Sequence, residues 1–223
     1  MPVELKYLGH GAPTEGFGEF FRHAFSDPRW LVRYRDFLKS QGRPVPTGVE
    51  LSGILRRLAV REMMYLRRYS FAKIAYELRL QGRPASEIAP ATPMLAAAEK
   101  AKADLRELYR QLFSAAYTFE LNELESQVYL ADVDDTFYSA DYARAFALAG
   151  MMHEGIRRRF GEDWYGNPAV GNFLREQLFS QGTALSAEDV AQRLGFPARV
   201  DFEAAARRAQ RLIADADALA RTP

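Results

Sequence analysis

Near the start of the chain two glutamates and a histidine follow one another at four-residue intervals: Glu15, Glu19 and His23, within TEGFGEFFRHA. Carboxylates and imidazoles are the side chains that ligate metals and carry protons, and i, i+4 spacing sets them along one face of a helix. Glu15 and His23 stand ~12 Å apart along such a helix, too far to share one ion. Glu19 and His23 are close enough to share one, although an acid–histidine pair at this spacing is more often a surface pair than a metal site. The Glu-x-x-His motif repeated on two helices, which builds di-metal centres, is absent.

Other catalytic patterns find little material. His10 is followed by Gly11, His23 by Ala24, and His153-Glu154 is followed at the decisive position by Arg157, so H-E-x-x-H does not occur. There is no G-x-S-x-G elbow, no Walker loop and no G-x-G-x-x-G. With no cysteine, thiolate catalysis, disulfides and cysteine-ligated zinc are excluded. A second constellation runs from Asp132 to Arg144, DVDDTFYSADYAR, where an acidic loop turns into a helix that sets Tyr138 and Tyr142 on one side, with Asp141 beside them. A calcium loop needs glycine at its sixth position, and Phe137 stands there, so calcium is ruled out. Paired tyrosines at a helix start are by default packing residues.

The elements that must position these groups are helices. Apolar residues recur at helical spacing almost everywhere and strand-like alternation is nearly absent, so the fold class is all-α. A first helix is expected to begin at Thr14, capped by it, with Phe17, Phe20, Phe21 and Ala24 on its apolar face; a second is capped by Asp27 with Pro28 at its first position. A long helix is expected over Glu50–Leu80, its apolar stripe running from Leu51 to Tyr76 and its end at Gly82-Arg83-Pro84. Its arginines at 56, 57, 61, 67 and 68 read as solvated or paired faces. Further helices are expected over Met94–Tyr117, Ser139–Phe160, from Asn167-Pro168 to Phe179, from Ser186 to Gly195, and over Asp201–Leu219, with the acidic stretch Glu120–Asp135 ambiguous. No linker divides the 223 residues, so 1–223 reads as a single helical domain with long antiparallel helices. The net charge of +1 carries no field for nucleic acid or acidic lipid. No apolar run approaches the roughly 20 residues of a membrane span and no signal peptide is evident, which points to a cytoplasmic protein without membrane or nucleic-acid partners.

Several segments carry a family likeness. YLGHGAPTEGFGEFFRHAFSDPRWLVRYRDFL resembles the stretch that follows the zinc helix in gluzincin metallopeptidases related to thimet oligopeptidase and oligoendopeptidase F. LRRYSFAKIAYELRL, FYSADYARAFALAGMMHEGIRRRFGEDWYGNPAVGNFLREQLFSQG and the later LGF resemble the C-terminal half of the same family. The resemblance implies that Glu15 is a zinc ligand and that Tyr138 and Tyr142 hydrogen-bond the scissile carbonyl or its oxyanion. It leaves Glu19 behind the ligand or on the helix surface, and Arg144 as a partner of a substrate carboxylate or of a structural acid. A zinc site of this kind uses about three protein ligands and a glutamate base. The histidines and the base should lie just upstream of Glu15, and the chain as read lacks them. The expectation is therefore a C-terminal peptidase lobe, inactive and without zinc alone, that hydrolyses peptides when another polypeptide supplies H-E-x-x-H. Uncovered phenylalanines at 17, 20 and 21 would favour self-association. The alternatives are a non-catalytic helical module that binds peptides or proteins, and a helical domain unrelated to peptidases. In the peptidase reading Glu15 and one tyrosine hydroxyl fall within roughly 10 Å of each other.

Overall fold

The computed structural model describes residues 11–81, 94–134 and 137–221. Among these residues there is no strand, and the all-α expectation holds. Helix α1 (Gly11–Ala24) is already helical at Gly11, so Thr14 lies inside it and is not its cap. Pro13 is accommodated because amides of the first turn have no intrahelical partner to lose. Asp27 does cap α2 (Pro28–Ser40), accepting the Arg29 N–H at 2.9 Å. Helix α3 (Gly48–Arg67) continues through a π-helical turn (Arg68–Lys73) into α4 (Ile74–Gln81). The long helix is thus continuous but carries one widened turn, a local i→i+5 pattern that apolar spacing does not announce. Its expected end at residues 82–84 lies outside the described residues, as do His10 and Asp135.

Helix α5 (Met94–Tyr117) has the expected bounds. The ambiguous acidic stretch forms a short α6 (Glu123–Ser126), where Asn122 and Glu125 close a reciprocal capping box, followed by a 3-10 turn (Gln127–Leu130). Helix α7 (Tyr138–Phe160) stops at Gly161, whose φ of +85° suits a residue without Cβ. Asn167 caps α8 (Pro168–Phe173), which runs on as a π turn and then 3-10 turns to Ala184. Ser186 and Asp189 form the box that opens α9 (Ala187–Arg193), and α10 (Glu203–Ala220) follows. No helix among the described residues is long and apolar enough to cross a membrane.

These helices pack as two compact units: 11–63 with 141–221, and the described part of 64–140. In the first unit α1 lies along α7 with both chains running the same way. A Cβ on Gly16 would stand 3.0 Å from Leu148, Phe20 meets His153 at 4.8 Å between ring centroids, and Asp27 bonds Arg157. Helix α10 crosses α7 so closely that a Cβ on Gly150 would stand 2.6 Å from the Ala204 carbonyl carbon. By contrast α3 runs antiparallel to α10, since Arg56 reaches Asp217 while Glu62 reaches Arg208. Phe20, Leu148, Met152, Ile156, Trp164 and Leu178 fill the core, each burial contributing about 1.5–3 kcal/mol. In the second unit the π turn and α4 run antiparallel to α5, around Ala72, Tyr76, Tyr109, Phe113 and Leu121.

Candidate functional site

The polar side chains of α1 converge on a buried cluster in the first unit. His23 is 3% exposed, and its Nε2 lies 3.1 Å from Glu62 Oε1 on α3 and 3.4 Å from Glu19 Oε2. Arg22 clasps Glu19 through Nε at 2.8 Å and approaches His23 Nε2 at 2.9 Å. One ring nitrogen carries either a proton or a lone pair, so Nε2 either donates to Glu62 or accepts from Arg22, not both. Arg208 of α10 bonds Glu62 at 3.3 Å and Ser26 at 3.2 Å. Glu19 and His23 do meet, but in a buried cluster and not as a surface pair, and two further side chains from distant chain segments, Glu62 and Arg208, complete it.

Burial decides the charges here. It pushes the Glu62 carboxyl up, against the pull of Arg208. The same burial holds His23 well below the usual imidazole range, and the neighbouring Arg208 adds to the shift, so the ring is neutral at neutral pH. Arg208 is lowered by burial, yet a guanidinium starts so high that it stays cationic. His153 on α7, 5.5 Å from His23 between ring centroids, is also lowered by burial first and by Arg208 and Arg157 next. Neither His153 nitrogen has a hydrogen-bond partner of ordinary geometry; the Phe20 backbone opposes the shift only weakly. Removing one partner from a buried set of this kind leaves an unmatched charge, at about 3–5 kcal/mol.

Glu15 stands half-buried on α1 one residue before the Gly16–Leu148 contact. Tyr142 is half-buried on α7, six residues or about 9 Å along the axis before Leu148. Because the two helices run parallel, Glu15 and Tyr142 occupy the same end of the first unit. Tyr138 belongs to the second unit. Arg144 is engaged by both carboxylate oxygens of Glu188, at 2.8 and 2.7 Å, the structural ion pair that was one of its two expected roles.

The second unit has a polar cluster around the π turn, where the start of the Asp132–Arg144 constellation meets Arg68, Lys73 and Glu77, a convergence that sequence reading did not single out. Asp132 receives Arg68, Lys73 at 3.2 Å and the Tyr109 hydroxyl at 2.6 Å. Lys73 is 4% exposed; burial draws its pKa down, but bonds to Asp134 and Asp132 outweigh this and leave it raised. Fully buried Glu77 accepts from the Asp134 N–H at 2.8 Å and from the Ser139 hydroxyl. Lys73 and Glu77 lie i, i+4 on the long helix, a pattern visible in sequence, but their partners lie some sixty residues away.

Metal chemistry can be tested against the donors present. Among the described residues no group of three His, Cys, Asp or Glu side chains is arranged to hold a metal ion. Glu19 and Glu62 are committed to Arg22 and Arg208, and Glu15 alone does not make a zinc site. No family model, characterised protein or solved structure matches the chain.

Proposed function

We propose that this chain is a metallopeptidase-like helical lobe, which takes part in peptide-bond hydrolysis only together with a polypeptide bearing H-E-x-x-H. The observation that supports it is the parallel register of α1 and α7, with Glu15 and Tyr142 at one end of the first unit. In this reading Glu15 is the carboxylate offered to the partner's zinc, the metal that polarises the substrate carbonyl. Tyr142 donates a phenolic hydrogen bond to the carbonyl oxygen as it becomes an oxyanion, the role that the resemblance also implies for Tyr138. Glu19 supports this face through Arg22, and Arg144 meets a substrate carboxylate only by leaving Glu188.

The test is reconstitution. The chain is co-purified with the H-E-x-x-H polypeptide encoded beside it, and cleavage of an internally quenched peptide is followed with zinc present. Cleavage should need both chains, fall about 100-fold in Tyr142→Phe, and vanish in Glu15→Ala. If no such polypeptide is encoded there, or if Glu15→Ala cleaves as well as the parent, the peptidase reading fails.

A second reading has its own support. Phe21, Phe25, Trp30, Trp164 and Pro168 line a largely apolar groove of about 520 Å3 in the first unit. A non-catalytic module binding an apolar peptide segment would use this groove, and its binding would be insensitive to Glu15→Ala.

A further inference from the structure

Beyond the Gly150–Ala204 contact, α7 and α10 leave between them a cavity of about 370 Å3. Both helices present it with arginines: Arg157 and Arg158 from α7, and Arg207, Arg208 and Arg211 from α10, where Arg211 stands at i+4 and i+3 to the other two. Only two carboxylates, Glu154 and Glu162, share the lining. We propose that this cavity binds a small organic phosphate, its dianionic head held by Arg158, Arg207, Arg208 and Arg211 and by the ring of His153.

Three observations carry the assignment, and none depends on the peptidase-like reading. The first is charge. Glu154 and Asp201 hold Arg207, each at 2.7 Å, and Glu162 holds Arg211 at 2.6 Å, but Arg158 meets no carboxylate, only the Leu194 and Gly195 carbonyls, at 3.0 and 3.3 Å, and the Phe196 ring. Asp27 and Glu62, which meet Arg157 and Arg208, do not line the cavity, whereas Glu162, 3.6 Å from Arg157, does. Of the five guanidiniums Arg158 is thus the one that no carboxylate meets, and an anionic head in the cavity supplies that partner. The second is the polar surface left unmatched. His153 is 2% exposed and lines the cavity with neither ring nitrogen in a hydrogen bond of ordinary geometry, only a weak one to the Phe20 backbone, the neutral ring carrying a single N–H, and buried Arg208 has an unpaired Nε. Buried donors without partners are rare, and a phosphate oxygen accepting from them completes the wall. The third is size. The volume lies at the lower end of small-molecule sites and exceeds a bare phosphate, leaving room for an organic remainder.

The experiment uses the full chain, with glycerol 3-phosphate as probe, in calorimetric titration at low salt. Saturable binding with a dissociation constant of about 0.1 mM is expected. Succinate should bind at least tenfold more weakly, because its separated carboxylates do not gather the donors on one head. Arg207→Gln and Arg211→Gln, at side chains nearly half exposed, should each weaken binding about tenfold. Arg159→Gln should leave binding unchanged, since Arg159 stacks on Phe160 and Phe173 away from the cavity. In the parent chain the His153 ring resonances should move with saturation, a readout that needs no variant to fold. Absence of saturable binding, an unmoved His153, succinate binding as tight as the phosphate, or equal losses in all three variants would each overturn the proposal.

Discussion

His23 and His153 are buried neutral, and that condition sets how the first unit responds to acid. Their folded pKa values lie below the ordinary 6.5, so on acidification the unfolded chain takes up these protons first. Stability is then fully present above about pH 7 and is lost as pH falls below 6.5 toward the folded values, by up to about 1.4 kcal/mol per pH unit for each ring. Glu62 and Asp215 act in the opposite sense, because their raised pKa values favour the folded state as protons are added, but both start from the carboxylate range, below the 6.5 at which the histidines begin to act. Urea unfolding should therefore give a clearly lower stability at about pH 5.5 than at about pH 7.5, and His153→Phe should flatten the slope while keeping the stack on Phe20. Equal stabilities at the two pH values would mean that the rings are not held neutral. Little of this was visible in the sequence. Glu19 and His23 could be paired from their spacing, whereas Glu62, His153 and Arg208 join them only through tertiary packing.

At the level of the helix, two glycines make opposite cases. Gly150 on α7 has Ala204 backbone where a Cβ would go, so Gly150→Ala must push α10 away and should cost about 2–4 kcal/mol. Gly18 on α1 has nothing within 4 Å of the same position, so Gly18→Ala should stabilise by about 0.5–1 kcal/mol through helix propensity alone. Chemical denaturation of both variants checks the pair, and a neutral Gly150→Ala would mean that the helix crossing is loose. The contrast also marks what a sequence can disclose. Helix ends at Asp27, Ser186, Gly161 and Gly195 were legible because capping and positive φ demand particular residue types. Thr14 misled because Pro13 is as acceptable inside a first turn as before it. The π turn at Arg68–Lys73 left no sign, since widening a helix by one residue needs no special side chain.

For the molecule as a whole, near-balanced charge leaves apolar surface to govern association. Phe25 is 65% exposed and Phe21 42% exposed beside the apolar groove, and patches of this kind favour contact between copies. Light scattering should show a mass that rises with concentration, and Phe25→Ser should lower it; a concentration-independent monomer would exclude this contact. The two units also differ in how the chain writes them. Residues 64–140 are one unbroken stretch, whereas the first unit joins a segment ending at 63 to one beginning at 141. Its bond from Arg208 to Ser26 spans 182 positions, and that from Arg157 to Asp27 spans 130. On the ribosome the order of completion is thereby set: the Tyr76–Tyr109 core can close while the chain is still growing, but the cluster around His23 waits for α10, the last helix among the described residues. Until α7 and Phe179 follow, the three phenylalanines of α1 lack the surfaces that cover them, and until α10 follows Glu62 lacks Arg208, which is the interval in which a nascent chain most exposes itself to aggregation.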